Sequence, residues 1–144
     1  MVKRSMSFLV VLVGVSLCSV CLVAWAGGPD DKASVLKFKP VAPVESLMHA
    51  QDDHFTEIKD YIAMSDEKEP KRFDYMAHQA FILAELGNVN QFNRKAKDYQ
   101  GWAKAIRDEA LALADAAMKK DQEAVKAAAK RIHSNCKSCH DVYK

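Results

Sequence analysis

Residues 125–143 read Val125-Lys126-Ala127-Ala128-Ala129-Lys130-Arg131-Ile132-His133-Ser134-Asn135-Cys136-Lys137-Ser138-Cys139-His140-Asp141-Val142-Tyr143. The positions Val125, Ala128, Ala129, Ile132, Cys136, Cys139, His140 and Tyr143 recur at helical spacing and so form one continuous face. The stretch contains Cys136-Lys137-Ser138-Cys139-His140, the C-x-x-C-H arrangement of covalent c-type haem attachment. Each reactive residue has a chemical reason. Two thiols add across the two vinyl groups of a porphyrin, so the ring cannot leave, and the imidazole offers a nitrogen to the iron. On a helix Cys136 and His140 lie four residues apart with Cys139 beside them, so all three project to one side.

Other uses of C-x-x-C lack their context here. A thioredoxin-like pair needs a strand–helix setting. A zinc site needs a second C-x-x-C or an H-x-x-x-H pair to close a tetrahedron, and beyond residue 26 the sequence has neither. The other cysteines, Cys18 and Cys21, fall in a segment of a different kind. Lys3 and Arg4 precede an apolar run from Phe8 to Trp25, and Ala24-Trp25-Ala26 has the form of a signal peptidase site. Residues 1–26 are therefore expected to be a secretory signal peptide, which places the remainder in the periplasm. The apolar run approaches spanning length, so contact with a membrane is expected only if the segment stays uncleaved.

The chain has 21 Lys+Arg against 19 Asp+Glu, and Lys3 with Arg4 accounts for the whole excess. Beyond residue 26 the charges balance, which leaves no basic stripe for nucleic acid. With Cys136 and Cys139 taken by haem, no cysteine remains there for a disulfide. Stability must come from helix packing and from the apolar plate of the cofactor.

Residues 27–42 read as a linker holding Pro29 and Pro40, with Pro43 at its border with the first helix. Residues 43–144 form one mono-haem domain of four helices. The first is expected from near Pro43 to about Met64, with Val44, Leu47, Met48, Phe55, Ile58 and Ile62 as its stripe and Met48, Phe55 and Ile62 as a seam. The second starts near Pro70, carries Phe73, Met76, Ala77, Ala80, Leu83 and Ala84, and is expected to end at a Gly87 cap. Asn88 to about Lys97 reads as a longer connection. The third runs from about Asp98 to Lys119 on a stripe of Trp102, Ile106, Ala110, Leu113 and Ala117. Asp121 is the expected N-cap of the fourth. The fold expected is all-α, an antiparallel four-helix bundle whose C-terminal helix carries the haem attachment. Four residues follow His140, so a second axial ligand is expected from an earlier helix.

These features resemble the class II cytochromes c, the cytochrome c′ family. One carrier of the resemblance is the stretch Cys136 to Lys144, since members end in C-x-x-C-H, an aromatic or apolar residue, and then Arg or Lys. The other is Met48-His49-Ala50-Gln51-Asp52-Asp53-His54-Phe55-Thr56-Glu57-Ile58, similar to the first-helix pattern in which a methionine or bulky residue faces the iron. Val44 stands where an arginine is frequent in the family, so no propionate contact is carried over to it. The resemblance implies one covalent haem c held by Cys136 and Cys139, His140 as proximal iron ligand and Met48 as candidate distal ligand. It also implies that Tyr143 packs in the bundle or against the ring and that Lys144 is available to a propionate. Met64, Met76 and Met118 lie at or near helix ends and are weaker ligands by position. His49 and His54 flank the seam, His78 neighbours the second stripe, and His133 lies near the haem edge.

Two functions follow from the resemblance. Six-coordinate low-spin members, with a first-helix methionine on the iron, carry electrons between redox partner proteins. Five-coordinate members bind small gases such as NO or CO. Met48 points to the first, and the chain is expected to be an electron carrier and not an enzyme. Peroxide chemistry would need a distal His/Arg pair, and the sequence assigns no such pair to one helical face. A homodimer through the first two helices, using the Phe73/Phe81 region, is a further implication.

Overall fold

A computed structural model describes residues 38–143 of the chain. The signal peptide at 1–26, all of the linker before Phe38, and Lys144 lie outside the described residues. Four helices follow one another: α1 (Val44–Ala63), α2 (Arg72–Asn90), α3 (Lys97–Met118) and α4 (Gln122–Tyr143). There is no strand among the described residues. The short connections make sequential helices antiparallel neighbours, and the chain is the expected four-helix bundle.

The helix ends follow from local chemistry. Pro43, with φ −58°, directly precedes α1, where its missing N–H deprives the helix of nothing. Asp121 caps α4 as expected: its carboxylate accepts from the Ala124 N–H at 3.0 Å and its carbonyl from the Val125 N–H at 3.0 Å. The end of α3 is a Schellman turn, with the Asp121 N–H donating to the Ala116 carbonyl and the Lys120 N–H to the Ala117 carbonyl. Lys120 occupies its left-handed position, with φ 56°.

Gly87 does not end α2, which continues to Asn90. It is buried against α3, where an added Cβ would lie 2.9 Å from the Arg107 nitrogen and 3.1 Å from the Ala103 oxygen. Gly87 is thus a place where two helix backbones meet, and the connection after α2 shortens to residues 91–96.

The core is built from Ile58, Met76, Leu83, Leu113, Val125 and Ile132, all at or below 1% exposure, with alanines between them. Full burial of a side chain of this kind contributes about 1.5–3 kcal/mol. The expected face of α2 is buried; that of α4 is buried from Val125 to Ile132 and at Cys139, while Cys136 and Tyr143 are half-buried and His140 is exposed. Helix α3 adds Tyr99, Ala103 and Ala114 to its stripe, in which Trp102 is half-buried. On α1 the buried line is Leu47, Gln51, Phe55 and Ile58, while Met48 and Ile62 are half-buried beside it. Gln51 therefore belongs to the interior, which the apolar seam through Met48 and Ile62 did not include. Phe73 is buried in the core cluster and Phe81 is exposed, so only Phe81 of that pair faces outward. Among the described residues no helix is long and apolar enough to cross a membrane.

Candidate haem site

Helix α2 packs extensively on α1 and α3, and α3 on α4, whereas α1 and α4 barely touch. A cavity of about 400 Å³ opens where they part. That volume falls in the range of small-molecule and cofactor pockets, about 300–1,000 Å³. It lies toward the end of the bundle formed by the start of α1, the end of α2, the start of α3 and the end of α4.

Cys136, Cys139 and His140 all line this cavity from α4. Cys139 is buried, Cys136 half-buried and His140 exposed to solvent. Met48 lines it from α1, half-buried, although 92 residues separate it from His140 in sequence. The other described methionines do not line it: Met76 is fully buried in the core, and Met64 and Met118 are exposed. Phe55, Leu83, Ile106 and Ile132 supply an apolar wall, and His133 lines the cavity from α4. His49 and His78 are exposed. His54 is half-buried and meets the Gln79 side-chain oxygen at 2.5 Å through Nδ1.

Burial pushes the Cys136 thiol up to about 11, with neighbouring Cys139 and Asp52 adding to the shift and Lys59 opposing it. Burial also raises Cys139, against the pull of Arg94. Both thiols are thus neutral at pH 7. A disulfide-exchange pair works the other way, with a thiol lowered by a helix N-terminus or a cation.

Tyr143 does not line the cavity. It anchors the end of α4 on the start of α3 by packing edge-on against Tyr99, at 5.3 Å between centroids, and Trp102, at 6.0 Å. Its hydroxyl donates to Asp98 Oδ1 at 2.7 Å, and the Arg94 guanidinium lies 5.0 Å from its ring centre. This cluster positions the turn that carries His140.

Tyr99, buried by the same cluster, donates its hydroxyl to Asn90 Oδ1 at 2.7 Å, and both residues line the cavity. Burial pushes the Tyr99 phenol up, which keeps it a donor. Sequence reasoning missed Gln51, Asn90, Tyr99 and Lys59 as cavity residues. Gln51 had a signal: it lies three residues from Met48 and four from Phe55, on the line of the stripe.

The residues present fit a c-type haem. Two thiols and an imidazole lie on one helix, a thioether on another, and an apolar slot lies between them. The model of the Cytochrome C' family matches residues 87–144, from the last turn of α2 through α4, and so includes the attachment motif but not Met48. No curated protein and no solved structure matches the chain. The match covers about two-fifths of the chain, and with the helical bundle and the cavity around Cys136, Cys139 and His140 it supports a class II cytochrome c, or cytochrome c′, family assignment and a haem-binding reading of the site.

Proposed function

We propose that the protein is a periplasmic carrier of single electrons. It uses one haem c, tethered by Cys136 and Cys139, with His140 as the proximal ligand and Met48 as the distal one. The observation that carries this reading is that Met48 and His140, from the first and last helices, line one cavity together with both cysteines. The periplasmic assignment rests on the signal sequence ending in Ala24-Trp25-Ala26.

Bound haem supplies the one-electron chemistry. The chain's own residues do the rest. The two thiols tether the ring, and His140 donates a nitrogen to its iron. Met48 offers a soft, neutral sulfur, which favours ferrous over ferric iron. Phe55, Leu83, Ile106 and Ile132 exclude water on the interior side, while His140 lies at the solvent side, the place for exchange with a redox partner protein. A second copy of the chain would meet α2 at Tyr75 and Phe81, both exposed.

Absorption and resonance Raman spectra of the reduced holoprotein test the ligand pair. A low-spin six-coordinate signature is expected, and a high-spin five-coordinate one removes Met48 from the iron. In Met48→Ala the iron is expected to turn high-spin and to bind CO rapidly. The potential is expected to fall by about 60 mV or more, a tenfold loss of preference for ferrous iron. A variant with the parent's spectrum and potential would mean that another residue is the ligand. Rapid CO binding by the untreated parent would favour the gas-binding reading.

A further inference from the structure

Gln51 is the polar exception in the buried line of α1. It is 8% exposed, it lines the same cavity as Met48, and its side-chain nitrogen is buried with no hydrogen-bond partner among the described residues. A buried donor left without an acceptor is costly, so a chain that places one against a cofactor slot finds its acceptor there or loses stability. A side-chain amide can turn about its last torsion and exchange the places of its nitrogen and oxygen, so the N–H₂ group can be presented to the cavity from this position.

The protein's own acceptors at the cavity, Asp52, Asn90 and Asn135, make no hydrogen bond to the Gln51 amide nitrogen. Haem brings two propionates, two thioether sulfurs and whatever binds its iron. The propionates lie across the ring from the vinyl edge, where the cysteines attach. Asp52, next to Gln51, lines the cavity together with Cys136, and its charge reaches that thiol, which puts this turn of α1 on the cysteine side of the slot. A thioether sulfur is a weak acceptor. Met48 is three residues before Gln51, on the same side of α1, so the amide sits one turn from the position facing the iron. Phe55, Leu83 and Ile106 line the same cavity without a side-chain donor, while Lys59, Trp102 and His133 bring donors to other parts of its wall.

We propose that Gln51 is a specificity-determining residue of the distal side. Its amide donates a hydrogen bond to a small ligand that accepts one, and so selects anionic or oxygen-bearing ligands over those that accept poorly, such as CO. The preference is open to ligands that reach the iron when Met48 is displaced. The inference rests on haem occupying this cavity, and it is independent of whether Met48 ligates the iron.

The test compares holoproteins that both carry Met48→Ala, which opens the distal side whatever the parent's ligand. One keeps Gln51; the other adds Gln51→Leu. Fluoride, an acceptor anion, is titrated against the ferric form, and CO, a poor acceptor, against the ferrous form. Loss of the donor is expected to weaken fluoride about tenfold or more and to change CO less than about twofold, the difference being the size of a charge-assisted hydrogen bond. Gln51→Met, similar in length and without a donor, is expected to weaken fluoride as much, and it serves if the leucine variant fails to take haem. Fluoride binding that is unchanged, absent from Met48→Ala, or weakened in step with CO overturns the proposal. Haem uptake is checked first by the Soret band, and the parent's spin state decides the Met48 reading separately, so either reading can fail while the other stands.

Discussion

Tyr143 and Asp98 show what a single exposed contact does here. The Tyr143 hydroxyl is the first cause holding the Asp98 carboxyl below the ordinary carboxylate range, and the Tyr99 backbone N–H is the second. The same bond raises the Tyr143 phenol. A carboxyl whose folded-state pKa is depressed contributes stability that is present above its unfolded pKa. That stability is lost as the pH falls through the folded value. Tyr143→Phe removes the larger cause, so Asp98 is expected to titrate closer to the ordinary range, and its share of the acid-side loss of stability should shrink. An NMR titration of the Asp98 carboxyl checks this; a midpoint unmoved by the substitution would mean that Tyr143 does not hold it. The reactive residues of the site were legible at this scale because Cys136, Cys139 and His140 are contiguous and their spacing alone puts them on one face. Gln51 was harder to read, because its helical spacing puts it on the stripe of Met48 and Phe55 while its polar side chain argues for water.

At the scale of elements, α2 and α3 separate two opposing effects of glycine. Replacing a mid-helix glycine by alanine improves helix propensity by about 1 kcal/mol. At Gly101, where an added Cβ meets nothing within 4 Å, that gain is expected in full: Gly101→Ala should be more stable by up to about 1 kcal/mol. At Gly87 the new methyl would press on the α3 backbone at Arg107, which cannot swing aside as a side chain can. Overpacking of that kind costs about 1–3 kcal/mol, so Gly87→Ala is expected to be net destabilised despite the better propensity. Urea unfolding of both variants decides the matter, and stabilisation of Gly87→Ala would mean the two helices yield. The expectation that Gly87 was a cap came from reading glycine as punctuation. Its actual use is close approach between helices, which depends on a residue in another element. The Asp121 cap, by contrast, acts within its own first turn and was legible at once.

Across the whole molecule, the bundle is fastened at one end and open at the other. Arg72, 7% exposed, donates to Asp66 Oδ1 at 2.5 Å and to Gln122 Oε1 at 2.8 Å, while Gln122 donates to the Ile62 carbonyl at 3.3 Å. These bonds join the end of α1, the start of α2 and the start of α4, at the end away from the haem slot. Arg72→Ala strands several polar partners and is expected to cost about 2 kcal/mol in urea unfolding while leaving the haem spectrum as it was. Asp66→Ala should cost less than about 1 kcal/mol, because the Asp66 side chain is 70% exposed and solvent screens the pair. Equal losses from the two would mean that the ion pair, and not the buried fork, holds this end. A change in the spectrum of Arg72→Ala would mean that the two ends are coupled.

The amino-acid sequence by itself determined the attachment motif, the four helices and most of their buried faces. Each of these is local: a five-residue spacing, a 3.6-residue period, a cap within one turn. Tertiary structure alone decided which parts of different helices meet. It parted α1 from α4 to leave the slot, brought Met48 and Gln51 to the cavity that His140 lines, turned Phe73 inward and Phe81 outward, and set Gly87 against α3. Rotation of a helix about its own axis and the distance to its neighbour are settled by the fit of all four surfaces at once, and no single stretch of the chain records them.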